Sequence, residues 1–501
     1  MNTLLRLLTL VMTLVLLSGC ALFNLNRDNT FSKDSCLITG NVFFWGIEPV
    51  KKQIRVIAYA EVDGKFKVAH YAVLHAPGSF ELLVPQGKYR LLAFEDANQN
   101  LILDQNEAAS IPMDGTMSKE VQINAPGGGL VSDITFMLST MQAISHKVPA
   151  DVLEKIKKVK STVPDDVLAR NITGNFNWQS NQAGAIMDIN APAYSAEEGA
   201  NGFWLPYEFF KKHGANVYFL EPYDAKRTPV LLVHGAAGSP QDWRYFIDKI
   251  DRTRYQIWIY YYPSGARLKT MAELLSNKVS ELHKQYHFEK LYITAHSMGG
   301  LVARHALASN ADHRFYSKLF ISISSPFGGE KMAETGVEKS PAVIPSWKDM
   351  TPDSEFIKKM FATKIPSTTK NYLFFGHKGN RNPLRGNNDS TVTLESMLDP
   401  RAQKEALKVF AFNEDHVSIL NSPDVFDQYN QILNNTDREE DAIAGSQKKG
   451  FFRLQYIVKQ QSNVPPLFMW LFFHPSEKGK PAFFIPVNPK NMDRDIQLAE
   501  G

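Results

Sequence analysis

Hydrophobic and polar positions change their spacing along the chain, and these changes divide it into segments. From about residue 37 to 141, apolar and polar residues alternate in short runs separated by turns such as Asp-Gly and Gln-Gly. A period of two is typical of strands that bury one face, and tight turns join antiparallel neighbours. This segment therefore predicts a small antiparallel β sandwich.

From about residue 202 to 437, runs typical of buried strands alternate with helical patterns. The strand runs include "PVLLVHG", "YQIWIYYYP", "KLYITAHS" and "KLFISISSP", and a long helix is predicted over Leu268–Tyr286. This alternation predicts a parallel sheet with functional loops at the carboxyl ends of its strands. The connecting region, 142–201, has a charged helical pattern and a Gly-, Asn- and Ser-rich stretch. The stretch from Gly202 to Asp224 predicts a lead-in hairpin.

The C-terminal part begins with a charged run, 438–450, that predicts a linker, and residues 451–501 contain three apolar strand-like runs. The most apolar run, Leu467 to Phe473, is too short to cross a bilayer. We expect a terminal β hairpin packed against another domain. A patch that rests on a membrane is the alternative.

Composition narrows the functional class. The 501 residues are 44% hydrophobic, which is enough for two or three domains with their own cores. With 55 basic and 52 acidic residues, the formal net charge is only +3, too small to attract a polyanion. Nucleic acid is therefore excluded as an expected partner.

The N-terminus predicts a secretory signal peptide over residues 1–19. An early Arg6 precedes an apolar run that ends in Leu17-Ser18-Gly19-Cys20. This ending resembles the lipobox of bacterial lipoproteins, a resemblance that implies acylation of Cys20 and cleavage before it, with 20–36 as a tether. An uncleaved anchor with an incidental cysteine is the alternative.

Ala21, in place of the aspartate that retains such lipoproteins at the inner membrane, implies an outer-membrane location that faces the periplasm or the cell surface. Cys36 is the only other cysteine, so no intramolecular disulfide is expected once Cys20 is acylated.

The N-terminal sandwich, 37–141, resembles carboxypeptidase-regulatory-like and transthyretin-like modules through "PGSFELLVPQGKYRLLAFEDANQN". The resemblance implies a spacer or a surface for protein partners, without catalysis. One loop in it spaces oxygen side chains as a calcium loop does. They are Asp96, Asn98, Asn100, Asp104 and Glu107. Leu101 replaces the glycine of an EF-hand loop, and a polar hairpin loop with Asx turns is the alternative.

A possible nucleophile lies in "LYITAHSMGG", where Ser297 stands between a strand and a helix pattern with small neighbours. A sharp strand-to-helix turn strains its corner residue and exposes its hydroxyl. A serine that only caps the following helix is the alternative. Earlier, "VHGAAGSPQDW" also follows a buried strand, and its flexible backbone can turn an amide towards an oxyanion.

Together these motifs resemble the α/β-hydrolase fold, specifically its bacterial lipase and esterase branch and the GPI inositol-deacylase-like group, over about Gly202 to Leu433. Ala295 replaces the usual first glycine of the turn. The resemblance implies a nucleophile at Ser297, an acid at Asp389 in "NNDSTVTLES" and a base at His416, in the chain order of this fold. It also implies that backbone amides of Ala236 and Met298 bind the oxyanion.

Other acids and histidines fit these roles less well. Asp415 adjoins His416 and is a poor orienting group, Asp399 is a second rival, and His377 precedes the acid in the chain. His296, next to the serine, is predicted to point away from the site.

An insertion at 327–370 is rich in Pro, Phe, Met and Trp, and it occupies the usual position of a lid in this fold. One helical face carries apolar residues: Phe356, Ile357, Met360 and Phe361. An apolar lid suits an acyl chain, and a stripe that packs on the core is the alternative.

The sequence thus predicts a membrane-anchored serine hydrolase that cleaves esters of a lipid or acylated substrate without a required cofactor. Structural calcium in the sandwich is the one candidate metal. An acyltransferase or amidase with the same triad, and a non-catalytic envelope scaffold, remain alternatives.

Overall fold

The computed structural model describes residues 24–28, 30, 33–45, 53–62, 65–74, 77–97, 103, 107–112, 121–139, 183–310, 313–379, 387–447, 469–473 and 483–487. The predicted signal peptide, Cys20 and most of the connecting region lie outside them. The chain forms two compact units, Met1–Tyr429 and Asn430–Gly501.

The first unit begins with a β sandwich, as predicted. Its strands are β1 Ser35–Trp45, β2 Gln53–Val62, β3 Lys65–Leu74, β4 Gly78–Pro85, β5 Gly87–Asp96, β6 Ala109–Ser110, β7 Ile123–Ala125 and β8 Leu130–Ser139. One sheet has the order β4-β1-β8, and the other has β3-β2-β5-β6 with β7 beside β5. Buried residues of both sheets, such as Leu82 and Phe136 from one and Val56 and Leu91 from the other, form one apolar cluster between them.

The pairing of β1 with β8 differs from the prediction because it is parallel. The pairs that β1 makes with β4, and β2 with β3 and β5, are antiparallel. Turn motifs report only on neighbours in the chain, whereas β8 reaches β1 from the far end of the domain.

The second sheet region of this unit has seven strands. They are β9 Asn216–Phe219, β10 Thr228–Val233, β11 Tyr255–Tyr261, β12 Leu291–His296, β13 Ser317–Ile323, β14 Lys370–Gly376 and β15 Lys408–Phe412. Their order is β15-β14-β13-β12-β10-β11-β9, and only β9 runs antiparallel to its neighbour. With helices between the parallel strands, this is the predicted α/β-hydrolase fold.

Helices connect and cover these strands. They are α1 Ala196–Trp204, α2 Pro206–His213, α3 Arg244–Lys249, α4 Leu268–Tyr286, α5 Met298–Ser309, α6 His313–Tyr316, α7 Lys331–Lys339, α8 Pro345–Met350, α9 Glu355–Met360, α10 Leu394–Met397, α11 Pro400–Glu405 and α12 Pro423–Gln447. The bounds of α4 are those predicted from its periodicity. It also meets the sandwich, where its Lys278 forms a buried ion pair with Glu81 of β4.

The predicted lead-in hairpin from Gly202 is wrong. Helices α1 and α2 occupy most of this stretch, because Ser195 Oγ caps α1 by accepting from the amide of Glu198 and Pro206 stands in the first turn of α2. The domain also begins before residue 202, since Ile186 bridges to Phe219 of β9.

The predicted linker at 438–450 is helical in its first part, because α12 continues through Gln447. In the C-terminal unit, β16 Met469–Phe473 and β17 Phe483–Val487 form an antiparallel hairpin. The strand predicted after residue 450 lies outside the described residues. None of the helices in the described part of the chain has the length and apolarity needed to cross a bilayer.

Candidate active site

Ser297 occupies a strained corner between β12 and α5. Its φ and ψ are 53° and −131°, in a region that residues with a side chain rarely adopt. The backbone is fixed there because the Ser297 amide donates to the carbonyl of Ile323 in β13 at 2.8 Å. The side chain makes no capping bond to α5, so the alternative of a simple helix cap is wrong.

The two glycines after the corner let α5 approach the sheet closely. A Cβ on Gly299 would lie 2.4 Å from the carbonyl oxygen of His234, and one on Gly300 would lie 2.0 Å from Ser325 Oγ. No side chain fits at either position, and the small residues of the motif are therefore required by packing against the ends of β10 and β13.

The structure brings the three predicted triad residues together. His416 Nε2 lies 2.9 Å from Ser297 Oγ, and His416 Nδ1 lies 2.7 Å from Asp389 Oδ2. All three are buried, with 8%, 7% and 0% of Ser297, His416 and Asp389 exposed. This geometry lets the imidazole take a proton from the serine hydroxyl while the carboxylate accepts from its other nitrogen.

Asp389 is held ready as a carboxylate. Its Oδ1 accepts the amides of Val392 at 2.7 Å and Thr391 at 3.1 Å, and its carbonyl accepts the amide of His416 at 2.7 Å. Burial raises the pKa of Asp389, but its bonds to His416 and to these two amides outweigh burial, so the pKa falls below its ordinary value.

The rival acids are engaged elsewhere. Asp415 accepts the amides of Val417 and Ser418 at 3.0 and 2.8 Å, and it therefore shapes the turn after His416. Asp399 forms a two-bond pair with the guanidinium of Arg401.

The predicted oxyanion loop lies directly against the serine. A Cβ on Gly235 would be only 2.8 Å from the Cβ of Ser297. The turn is held in one shape, because the amide of Ala237 donates to Ser264 Oγ and that of Gly238 to the carbonyl of Gly235. Met298, the other predicted donor, is the first residue of α5, where N–H groups have no partner within the helix. The roles of Ala236 and Met298 remain predictions.

His234, at the start of this loop, is packed into the core. It is almost fully buried and stacks on Tyr262 with 4.5 Å between ring centroids, and the Tyr262 hydroxyl donates to its carbonyl. Burial lowers the pKa of His234 to about 4, so the ring is neutral near neutral pH.

His296 does not point away from the site, in contrast to the prediction. Its Nε2 lies 2.8 Å from the carbonyl oxygen of His416, and the two rings are 4.8 Å apart between centroids. Because a carbonyl can only accept, Nε2 of His296 carries the proton. Burial is the main cause that lowers the pKa of His296, to about 3, and the ring is therefore neutral. Sequence reasoning missed this contact because nothing local indicates that the turn after β15 reaches the end of β12.

The apolar stripe of the 327–370 insertion packs on the core. Phe356, Ile357 and Met360 are 8%, 1% and 2% exposed and belong to the main apolar cluster. The ring of Phe361 contacts two guanidinium groups. Its centroid lies 4.1 Å from Cζ of Arg304 and 4.9 Å from Cζ of Arg401. Of the two alternatives for this stripe, the structure supports packing rather than a lid.

The candidate calcium loop is only partly described. Asp96 is fully buried and its Oδ2 accepts from the guanidinium of Arg55 at 2.9 Å, while Glu107 accepts the amide of Ala97 at 2.7 Å. Asn98, Asn100 and Asp104 lie outside the described residues. In the parts of the chain that are described, no cluster of three His, Cys, Asp or Glu side chains could hold a metal. The Arg55 charge competes with a cation at Asp96, and calcium binding stays a prediction.

The strand order and the strained serine corner define the α/β-hydrolase fold. Residues 225–373 match the family described as "Putative serine esterase (DUF676)". The match includes Ser297 and ends before Asp389 and His416. No curated protein matches the sequence.

Several solved structures are similar to part of this chain. A Bacillus licheniformis lipase, BlEst2 in its mature form, is 18% identical over 41% of this chain and 92% of that chain, with a TM-score of 0.34. A structure from a study of Nitrososphaera gargenis carboxylesterases is 15% identical over 44% and 96% of the two chains, with a TM-score of 0.29. A soluble variant of Saccharomyces cerevisiae monoglyceride lipase is 12% identical over 42% and 87%, with a TM-score of 0.30.

Proposed function

We propose that this protein is a membrane-anchored serine hydrolase that cleaves carboxylic esters of a lipid or acylated substrate through Ser297, His416 and Asp389. The observation that carries the proposal is the hydrogen-bonded line from Ser297 Oγ through the His416 ring to Asp389. The strained corner that presents the hydroxyl also supports it.

In this mechanism Ser297 Oγ attacks the ester carbonyl carbon while His416 Nε2 takes the hydroxyl proton. His416 then gives that proton to the leaving alcohol, and the acyl group stays on Ser297. A water molecule, deprotonated by the same imidazole, releases the acid and restores the serine. Asp389 holds the Nδ1–H and stabilises the charged imidazolium, and the amides of Ala236 and Met298 donate to the oxyanion. No step needs a cofactor.

Labelling with a fluorophosphonate probe, together with hydrolysis of a short activated ester, tests this proposal. Ser297→Ala should abolish labelling and lower the rate to the residual level of about 10³-fold over water that oxyanion donors alone can sustain. His416→Ala should cost about as much, because the serine and the histidine act as one unit, and Asp389→Asn should cost less, because the imidazole is then only misoriented. If Ser297→Ala keeps full activity and still reacts with the probe, the assignment is wrong.

Anchoring through acylated Cys20 is the second part of the proposal, supported by the lipobox-like ending and by Ala21 for an outer-membrane location. One acyl chain binds reversibly, and several chains hold a protein firmly. Cys20→Ser should leave the protein unprocessed or release it from membranes. A variant that is still processed and still enters the detergent phase would contradict the anchor.

An acyltransferase or amidase would use the same residues, since the acyl-enzyme does not specify its acceptor. Product analysis with a competing alcohol separates this alternative from hydrolysis. We also propose, from the resemblance alone, that the sandwich offers a surface for protein partners.

A further inference from the structure

The chain that follows the proposed acylation site is bound to the catalytic domain. Asp28 is 2% exposed, and its two carboxylate oxygens accept the amides of Tyr207 at 3.0 Å and Glu208 at 2.8 Å. These amides belong to the first turn of α2, where Leu205 offers no capping side chain. A carboxylate there satisfies N–H groups without helical partners and complements the positive end of the helix. Asp28 is therefore docked on the N-terminus of α2.

This docking point lies near the proposed active site. Helix α1 ends just before α2, and its Gly199 packs on the oxyanion loop, since a Cβ there would lie 2.5 Å from the carbonyl oxygen of Gly238. Gly199 and Tyr207 lie in consecutive helices that only Leu205 separates. Asp28 therefore sits roughly one short helix away from the loop beside Ser297.

The chain length between anchor and docking point sets the distance to the membrane. Cys20 and Asp28 are 8 residues apart in the sequence. Even a fully extended chain of this length spans at most about 27 Å. While Asp28 stays docked, this short tether keeps α2 close to the proposed acylation site.

Two tryptophan side chains, the exposed Trp204 and the half-buried Trp347, lie at the same edge of the sheet as Ser297. Trp204, the last residue of α1, is 46% exposed, and its ring meets that of Trp347 in α8 edge to face at 6.2 Å. The loop after β11 joins both helices, because the Gly265 amide donates to Gly202 and the Gly265 carbonyl accepts from Ser346. Tryptophan is the residue that favours the membrane–water interface, because its ring is apolar and its N–H is polar.

We propose that Trp204 and Trp347 contact the bilayer that holds Cys20, and that the docking of Asp28 on α2 keeps the catalytic domain in this position. The inference rests on the proposed anchoring and goes beyond it by naming the surface that meets the lipid. It implies that esters in the same bilayer are hydrolysed faster than esters in a separate vesicle. In this proposal the two tryptophans contact the bilayer, and not the acyl chain of a bound substrate.

Quenching of tryptophan fluorescence tests the contact directly. The acylated protein is placed in phosphatidylethanolamine and phosphatidylglycerol vesicles with or without brominated acyl chains. The emission of Trp204 is obtained as the difference between the spectra of the wild type and Trp204→Phe. The brominated lipid should quench this emission. Asp28→Ala should reduce this quenching, because the domain is then free to turn away. Absence of quenching in the anchored wild type would overturn the proposal.

Hydrolysis of a fluorogenic long-chain ester embedded in the same vesicles provides the second readout. Trp204→Ala should lower this rate by about tenfold, the factor that burial of one large apolar side chain readily supplies. Asp28→Ala should lower it by about as much, because the domain is then free to turn away from the bilayer. Trp204→Phe should keep most of the rate. The matched control is Phe315→Ala, which removes a 57% exposed aromatic side chain on α6. Because α6 precedes β13, it lies at the opposite edge of the sheet. This variant should leave the rate unchanged.

A short soluble ester separates this inference from the proposed function. All variants should hydrolyse this ester at the wild-type rate. If the wild type itself does not hydrolyse it, the proposed hydrolase function is wrong. If Trp204→Ala slows a soluble medium-chain ester as much as the vesicle ester, the two tryptophans bind substrate acyl chains and the membrane contact is wrong. Release of the wild type from vesicles would refute the anchor and this inference together.

Discussion

The contact of His296 with His416 makes a quantitative prediction about a residue outside the proposed triad. His296→Phe keeps a planar ring of similar size but removes the donor to the His416 carbonyl, which lies 2.8 Å from Nε2 in the wild type. A buried carbonyl that loses its donor costs about 1 to 3 kcal/mol. If the turn after β15 moves to find another partner, His416 leaves Ser297 for most of the time, and kcat falls by roughly 5- to 150-fold.

Steady-state hydrolysis of a short ester and the rate of fluorophosphonate labelling measure this effect. Both kcat and the labelling rate should fall together with little change in KM, because the observed contact of His296 is with the backbone of His416. His296→Gln, whose side-chain amide can still donate, should restore most of the activity. Urea unfolding of both variants shows whether stability alone is affected. Equal activity of the Phe variant and the wild type, within twofold, would refute a positioning role for His296.

Three further perturbations follow from the same structure. Gly235→Ala places a Cβ 2.8 Å from the Cβ of Ser297, so ester hydrolysis should drop by at least about tenfold, and an unchanged rate would contradict the described contact. Folding lowers the pKa values of His296 and His234 from 6.5 to about 3 and about 4. Below about pH 6.5 the unfolded chain therefore binds more protons than the folded one, and the free energy of unfolding should decline as pH falls towards 4. In urea titrations His296→Gln should make this decline shallower, and an equal slope would argue against a buried neutral ring. If the loop that starts at Asp96 binds calcium, millimolar calcium should raise Tm in the wild type but not in Asp96→Ala, whereas unchanged melting in both would refute the site.

The fold and the proximity of Ser297, His416 and Asp389 were predictable because their signals are local. Ser297, Asp389 and His416 each follow a strand pattern, and a parallel sheet gathers the ends of its strands at one edge. Chain order then separates His416 from His377. The resemblance to lipases and esterases added the roles, which spacing alone could not supply.

The errors concern contacts between distant segments and short elements. Helices α1 and α2 have 9 and 8 residues and are rich in aromatic residues, so their pattern is close to that of strands. The position of His296 depends on the packing of β12 beside the turn after β15, and the docking of Asp28 joins residues 179 positions apart. No periodicity in the sequence reports on such contacts. The apolar stripe at Phe356 was ambiguous for the same reason, since lid and core helices share one pattern.

Backbone strain favours an enzyme over an envelope scaffold built on the same fold. Among the described residues, those with positive φ other than glycine are Asp133, Ala237, His287, Ser297, Ser324 and Ser390. Four of them lie at the carboxyl edge of the sheet: Ala237 in the oxyanion loop, Ser297 at the corner, Ser324 after β13 and Ser390 beside Asp389.

Each such residue costs about 1 to 3 kcal/mol and persists only where its surroundings impose it. At this edge, two hydrogen bonds hold the strained backbone in place. The amide of Ser297 donates to the carbonyl of Ile323, and the amide of Ser390 donates to Oδ1 of Asn388. A protein that used the domain only as a scaffold would gain stability by relaxing these positions, because Ser297 neither caps α5 nor fills the core. The retained strain has a physical reason if it holds a hydroxyl, a base and a carboxylate within hydrogen-bond distance of one another.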